Sequence, residues 1–508
     1  MGYQIGLKGL FTRFLRTKSR DAGISKPIHF KILEGERMQP RLKILSDPEL
    51  LKIDQASRAL LKEVGTYVPH EESLEIFHQA GANVDPKTKV VKIGDRLINQ
   101  TLSMCSSCVR LYDRKSDEPL LIGGDRVYFG TVGIATNVLD FKTNEYRQVV
   151  CEDLKDIIRL SDVLEPPDFI LVPGTPTDVP SAIVDVIETK FLLMNTRKHF
   201  IAEAQNRENT KKNIAMAVEI AGSLEALQKK PFFSTLVCLT SPLTLREDAT
   251  ELIIESAQLG LPLFIESGPM CGGTSPATLA STLVMANAEL LSSFVLAKAV
   301  NPEVPLIYAS WARILDMRAA TCSHGGPEFP LLRMATTQLG KYYGLPSGGG
   351  GILADTKSID VQLGMEKLGT GLLPALAETN MVVGMGLFAD ENAISLETLI
   401  IDYEITGWIR RVMAGIEVSD ATTDLAPFIE VGAGGSDFVS LKHTRDNFRK
   451  EMYIPTIMDR GFLALDKDPE TRTMRKRARE YFGKVMGTYS PPELPDDIES
   501  RLDAIINR

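Results

Sequence analysis

At 508 residues the chain exceeds one minimal domain and suits an elaborated single barrel with extensions. Apolar residues make up 44% and charged residues 24%, the balance of an ordinary globular protein, and a net charge of −9 argues against a nucleic-acid partner. Six cysteines are too few for a disulfide framework and suit a reducing cytoplasm, and no apolar run is read as reaching the roughly 20 residues of a membrane span.

Residues 1–44 read as a basic leader. Lys8, Arg13, Arg16, Lys18 and Arg20 interleave with Leu7, Leu10, Phe11, Phe14 and Leu15, the pattern of a short basic amphipathic helix. It lacks the apolar core and small-residue cleavage site of a signal peptide. A surface helix or leader is the plain reading, and peripheral contact with an acidic partner or membrane the sharper one. Residues 45–126 read as a mostly helical cap. Ser46 and Glu49 offer a capping box, and Leu50, Ile53, Ala56, Leu60 and Val64 recur at helical spacing. A second helix starts at His70-Glu71-Glu72 and ends at Gly81, β-like Val90-Val91 follows, and a third helix lies near 95–107. Cys105 and Cys108 have CxxC spacing, but no second pair or nearby histidine completes a zinc site.

From residue 127 to 420 apolar strand-like segments alternate with helical patterns. The strands begin at Val127, Phe169, His199, Phe232, Leu263, Leu306, the glycine-rich run after Tyr343, and Met381. The helices span 153–164, 182–193, 209–227, 247–259, 276–300, 328–342, 358–377 and 395–416. Continuous apolar strands separated by helices are the pattern of parallel strands covered on both faces. Eight such units predict an α/β fold, a (β/α)₈ TIM barrel with an N-terminal helical extension and a C-terminal helical tail.

Functional residues of such a barrel follow the strands on its C-terminal face. That rule collects Glu203, Glu266, Tyr308, Trp311, Arg313, His324 and Tyr343, then Gly349, Gly350, Gly351, Ile352, Asp355 and Lys357. The loops are rich in Gly, Pro, Ser and Thr and poor in histidine. Glu203, Glu266 and Asp355 have no spacing that forces them onto one ion, so no metal is expected. Gly348–Gly351 suits a phosphate cradle, a glycine bulge without ligand, or a floor that a large group approaches. Trp311 is one of two tryptophans, and its face with those of Tyr308 and Tyr343 suits a quaternary ammonium ion, although each ring alone suits a packed core.

An ordered set of segments resembles the trimethylamine methyltransferase superfamily. It includes the region from Leu139-Asp140 to Leu160-Ser161-Asp162, then Pro276-Ala277-Thr278-Leu279-Ala280 and Asn287-Ala288-Glu289-Leu290-Leu291. It continues through Gln338-Leu339, Tyr343-Gly344-Leu345-Pro346-Ser347, Asp355-Thr356-Lys357, Asp360-Val361-Gln362 and Val431-Gly432-Ala433-Gly434-Gly435, and closes on His443-Thr444 and Asp459-Arg460. The similarity covers roughly residues 45–465. It implies a TIM barrel that takes a methyl group from a methylated amine and passes it to the Co(I) corrinoid of a separate cognate protein. No corrinoid is then held tightly by this chain, and a homo-oligomer is expected. The founding members carry pyrrolysine in the barrel. This chain has none, and the corresponding position is placed within Gly351–Asp355, near Ile352. The branch without pyrrolysine is similar to the glycine betaine methyltransferase, so a quaternary amine is the implied substrate. Trp311, Tyr308 and Tyr343 are then cage candidates. Arg313, His324 or Lys357 would pair with a betaine carboxylate, and the glycine floor would admit the corrin ring or donate amides. Two other readings stay open: a non-catalytic barrel that binds a methylamine or a corrinoid protein, and an unrelated enzyme using Glu203 or Glu266 as a base.

Residues 421–508 read as an extension and helical tail. Arg472, Arg475, Lys476, Arg477 and Arg479 fall on one helix, a solvated face or subunit contact by default and otherwise a dock for an acidic corrinoid protein.

Overall fold

The computed structural model describes residues 40–133, 135–435, 437–463 and 472–508, so the basic leader lies almost wholly outside the described residues. These residues divide into two units, 416–454 and the remainder. The smaller unit carries two helices, Ala426–Val431 and Lys442–Glu451.

The larger unit is built on eight parallel strands: β1 Tyr128–Thr131, β2 Ile170–Leu171, β3 Phe200–Ala202, β4 Phe233–Leu239, β5 Leu263–Ser267, β6 Leu306–Ser310, β7 Ser347–Gly350 and β8 Met381–Met385. From β2 to β8 each pairs with the next in order, and β8 pairs with β1. A parallel bridge between Gly130 and Phe169 closes the remaining gap between β1 and β2. Asp168 holds that seam from both sides. Its amide donates to the Phe129 carbonyl at 2.7 Å, and its carboxylate accepts from the Phe129 amide at 2.8 Å. Arg410 neutralises the same carboxylate. The strands are short because a closed barrel needs only a few paired residues per strand.

Eight helices surround the barrel: α1 Cys151–Val163, α2 Val184–Asn195, α3 Arg207–Ala221, α4 Glu247–Gln258, α5 Leu279–Val300, α6 Glu328–Tyr342, α7 Val361–Leu376 and α8 Leu396–Met413. Several start on the side chains the sequence offers as caps. Asn206, Thr278, Asp360 and Ser395 each accept from a first-turn amide. The expected helix over 209–227 is broken in two. Gly222 adopts φ +84°, and Ser223 caps a short second helix, Leu224–Lys229.

Helix α5 is 22 residues long and apolar enough to cross a membrane by length and composition. Here it is a core helix. It packs against the Asp47–Glu63 helix of the cap on one side and the barrel on another, so most of its circumference is apolar.

The cap is held by specific bonds. The Glu49 carboxylate accepts from the Ser46 amide at 2.8 Å and the Ser46 hydroxyl at 2.6 Å. Gln338 of α6 accepts from the amides of Ile44 and Leu45. Val109–Leu111 and Leu120–Ile122 form a hairpin, and just after its first strand the Tyr112 carbonyl contacts His199 Nδ1, at the start of β3, at 3.0 Å. Cys105 points its thiol at the Thr101 carbonyl, 3.4 Å away.

The basic C-terminal helix, Met474–Met486, leaves Lys476 exposed but turns two of its arginines onto the barrel's helix layer. Arg475 and Arg479 both pair with the fully buried Glu397 at the start of α8, and Arg472 pairs with Asp459. Tyr481 stacks on Tyr403 with centroids 6.0 Å apart. The final helix, Ile498–Ile506, buries Ile498, Leu502 and Ile506 with residues of α2 and α3, and Lys190 of α2 reaches Asp503 at 2.7 Å.

Strand β8 carries a bulge between Val383 and Met385, which brings Met385 opposite Thr131. The residue in the bulge is Gly384, where a Cβ would fall 1.8 Å from the Gly351 carbonyl oxygen. Gly384→Ala must therefore push β7 and β8 apart. It is expected to lower stability by about 3 kcal/mol or more. Gly369→Ala on α7, where nothing lies within 4 Å, is expected to be neutral or to stabilise by up to ~1 kcal/mol. Thermal or urea unfolding of the two variants checks the contrast.

Candidate active site at the mouth of the barrel

Alternation along each strand decides which side chains enter the barrel. On β4, Val237 and Leu239 belong to the outer core with the helices, which turns Ser234, Leu236 and Cys238 inward. On β5, Leu263 and Ile265 face outward and Phe264 and Glu266 inward. On β3, Phe200 and Ala202 face outward, so His199, Ile201 and Glu203 face in.

Three of these inward groups converge. The Cys238 thiol donates to Glu266 Oε1 at 3.3 Å and lies 3.7 Å from Glu203 Oε1. Burial lifts Glu203 above the usual carboxylate range. Glu266 is pushed up to about 7, mainly by burial and further by the charges of Glu203 and Glu391. Burial also raises the Cys238 thiol well above its usual value, and both glutamates add to this. Yet Cys238 remains solvent-accessible. Both facts hold if the thiol lines a water-accessible hollow inside the barrel, where it is deep but not covered.

Above this trio the loops after β6, β7 and β8 lock together. Trp311 donates its indole N–H to Glu391. His324 is 2% exposed. Its Nδ1 is 2.7 Å from Asp390, while its Nε2 is 3.4 Å from Glu391 and makes no hydrogen bond. Asp390 and Glu391 sit in a run of three non-glycine residues with left-handed backbone: Ala389 at φ +55°, Asp390 at +56° and Glu391 at +65°. Such residues cost of order 1 kcal/mol each. The run is held by its amides, Ala389 to the Thr356 carbonyl and Asp390 to the Ala354 carbonyl. Between those two carbonyls lies Asp355, whose carboxylate accepts from the Ser323 hydroxyl at 2.6 Å and the His324 amide at 2.8 Å. Asp355 is thus a clamp between the β6 and β7 loops.

Phe329 of α6 is the hub of the aromatic contacts. Its ring meets Trp311 edge-on at 6.3 Å and His324 at 5.2 Å, and the Arg333 guanidinium lies 4.8 Å from its centroid. Arg333 is 1% exposed and donates through Nη2 to the Ala312 carbonyl. Arg313 is half-buried, and its Nη1 donates to the Trp311 carbonyl at 3.3 Å.

The glycine run is explained by these neighbours. A Cβ on Gly348 would strike the Phe264 ring at 2.6 Å, and one on Gly349 would meet the Ser310 carbonyl at 2.5 Å and Arg333 Cδ at 3.1 Å. On Gly350 it would reach Phe329 at 2.6 Å and Trp311 at 3.0 Å, and on Gly351 Val382 at 2.6 Å. All four glycines are buried, and the Gly351 amide is spent on the Val383 carbonyl. They form no open floor for a corrin ring and no free cradle of amides for phosphate. What they admit is the protein's own side chains.

Two of the three expected cage aromatics lie elsewhere. Tyr308 points outward from β6 and donates to Asn287 Oδ1 at 2.8 Å. Asn287 donates to the Tyr343 hydroxyl at 2.9 Å, which donates to Asp54 of the cap at 2.6 Å. Tyr308 and Tyr343 thus belong to a hydrogen-bonded relay in the outer helix layer. Ile352, at φ +53°, buries its side chain against Gly371 of α7 and Ile409 faces the same space, so it too points away from the barrel axis. Lys357 is exposed, with its ammonium on the Asp355 carbonyl.

Among the described residues two clusters bring metal-type ligand atoms within reach of one another, His70–Glu247–Glu251 beside the cap and His324–Asp355–Asp390 at the mouth. In the second, both Asp355 oxygens already accept hydrogen bonds.

Residues 13–508 match the family described as trimethylamine methyltransferase (MTTB). Trimethylamine methyltransferase MttB of Desulfitobacterium hafniense (strain DSM 10664 / DCB-2) is 33% identical over 461 residues, 91% of this chain and 92% of that protein. Glycine betaine methyltransferase of Desulfitobacterium hafniense (strain Y51) is 29% identical over 474 residues, 92% of this chain and 98% of that protein. Among solved structures, the hydroxylamine complex of MtmB aligns with a TM-score of 0.50 at 12% identity, covering 86% of this chain and 92% of that one, a likeness of fold alone. The match along nearly the whole sequence shows that this chain belongs to the trimethylamine methyltransferase family.

Proposed function

We propose that the protein moves a methyl group from a quaternary amine of the betaine class, glycine betaine or a close relative, to the Co(I) corrinoid of a separate cognate protein. The observation that carries this reading is the makeup of the mouth. A tryptophan ring is fixed by Glu391, and Glu391 is electrostatically coupled to Glu266, which meets Glu203 through Cys238. Aromatic faces and carboxylates attract a cation that has no N–H to donate. Family membership, with a glycine betaine methyltransferase among the relatives, supports the same substrate class.

The chemistry asks little of the protein beyond positioning. The N–CH₃ bond breaks with its electron pair left on nitrogen, so the amine departs neutral and needs no proton. The corrinoid supplies the nucleophilic electron pair for the new cobalt–carbon bond. Trp311 would set the cation's place, and the carboxylates would hold it by charge. The locked loops after β6, β7 and β8 would fix one methyl toward the open end and limit water.

Incubation with reduced corrinoid proteins and glycine betaine, proline betaine, carnitine, choline or trimethylamine in turn should methylate the corrinoid with a betaine, seen as loss of the Co(I) absorbance. Methylation from trimethylamine alone would overturn the proposal. Trp311→Ala is expected to raise KM for the betaine about tenfold or more, and an unchanged KM would remove the tryptophan from the cation site.

A quaternary nitrogen keeps its charge at every pH, so any pH dependence of its binding belongs to the protein. Glu266, raised to about 7, is mostly neutral at pH 6 and mostly ionised at pH 8. Betaine affinity should therefore rise as pH increases through about 7, by a few-fold to roughly tenfold. Glu266→Gln should flatten that profile, as read by calorimetric titration at a series of pH values. A flat wild-type profile would show that Glu266 does not face the cation.

A further inference from the structure

We propose that Arg333 and Arg313 form an anion subsite at the barrel mouth that receives the carboxylate of a zwitterionic substrate and so favours a betaine over a bare alkylammonium ion. This rests on the quaternary-amine reading of the same site and adds the group that would select within it.

Arg333 leaves α6 and passes beside Gly349, where only the missing side chain gives it room. Its guanidinium stops between the Ala312 carbonyl and the Phe329 ring. Only Nη2 has a hydrogen-bond acceptor. Nε and Nη1 are buried without one, and so is Nε of Arg313. A guanidinium has five N–H donors, so most of Arg333's capacity is unused. Among the described residues, no carboxylate lies within ion-pair distance of either arginine, while Glu266 and Glu391 act on Arg333 from farther off and Arg313 opposes it as a like charge. The two guanidinium groups are held on adjacent backbone carbonyls, Arg333 on Ala312 and Arg313 on Trp311.

Burying an unpaired charge is costly, and here it pulls Arg333 down to about 9. The Phe329 face offsets part of that cost. The unused donors fit a carboxylate, which a guanidinium engages through two parallel N–H bonds. The neighbouring groups divide by charge in the way a zwitterion needs. Trp311 and the carboxylates Glu203, Glu266 and Glu391 suit the cation, and the two arginines suit the carboxylate.

The test measures binding of three probes to the full-length protein by calorimetry: glycine betaine, tetramethylammonium and acetate. They present both charges, the cation alone and the carboxylate alone. Wild type should bind betaine about tenfold or more tighter than tetramethylammonium. Arg333→Lys and Arg313→Gln should each weaken betaine and acetate about tenfold and leave tetramethylammonium within about twofold. Arg313→Gln guards against a folding defect at the fully buried Arg333. Equal loss of betaine and tetramethylammonium in both variants would show a structural role and overturn the subsite, as would wild-type affinity no greater for betaine than for tetramethylammonium. Corrinoid methylation is read separately. Selective binding as predicted, with no methylation by any betaine, would leave the subsite standing and defeat the methyltransferase proposal.

Discussion

Strand β7 contributes no side chain larger than the Ser347 hydroxymethyl group, and its neighbours fill the space it leaves. Phe264 lies over Gly348, Arg333 passes Gly349, and Trp311 with Phe329 closes on Gly350. Protein interiors tolerate neither voids nor overlaps, so each of these placements requires glycine at its own position. The mouth of the barrel depends on this one constraint. Without it the tryptophan would not reach the axis and the arginine would not reach the loops.

The second organising feature is charge held away from bulk water. Glu203 and Glu266 share a deep hollow with Cys238, Arg333 is buried without a counter-ion, and His324 lies between Asp390 and Glu391. Buried pairs also occur in the helix layer: Lys367 binds Asp402 and two carbonyls, and Arg475 and Arg479 both reach Oε1 of Glu397. At the mouth, Nε and Nη1 of Arg333 and Nε2 of His324 are buried without a hydrogen-bond partner. The strained Ala389–Glu391 turn, tied to both sides of Asp355, holds that arrangement rigid.

Much of the fold was legible because the strands are apolar on both faces and the helices carry their own caps. The break at Gly222 was missed because the apolar pattern continues through it, and α5 was not recognised as span-like because Asn287, Glu289 and Lys298 interrupt its apolar text. The site was legible only in part. The rule that function follows the strands found Trp311, Arg313, His324, Glu203 and Glu266. It also gathered Tyr308 and Tyr343, because position in sequence does not reveal which side of a strand a ring takes. Applying the two-residue alternation to β6 would have turned Tyr308 outward. The same alternation would have placed Cys238 inside, and the acidic pair Asp390-Glu391 was visible in the loop after β8. Arg333 left no such signal. It reads as an ordinary residue of an amphipathic helix, and only the packing against Gly349 gives it a role.

The central claim is that this mouth holds a quaternary ammonium ion against Trp311. A crystal structure of the protein with glycine betaine tests it most directly. The account predicts the nitrogen within about 6 Å of the Trp311 ring centroid, with the carboxylate turned toward Arg333. Betaine bound outside the barrel mouth, or inside it with the carboxylate against Glu266 and the cation against the arginines, would contradict it.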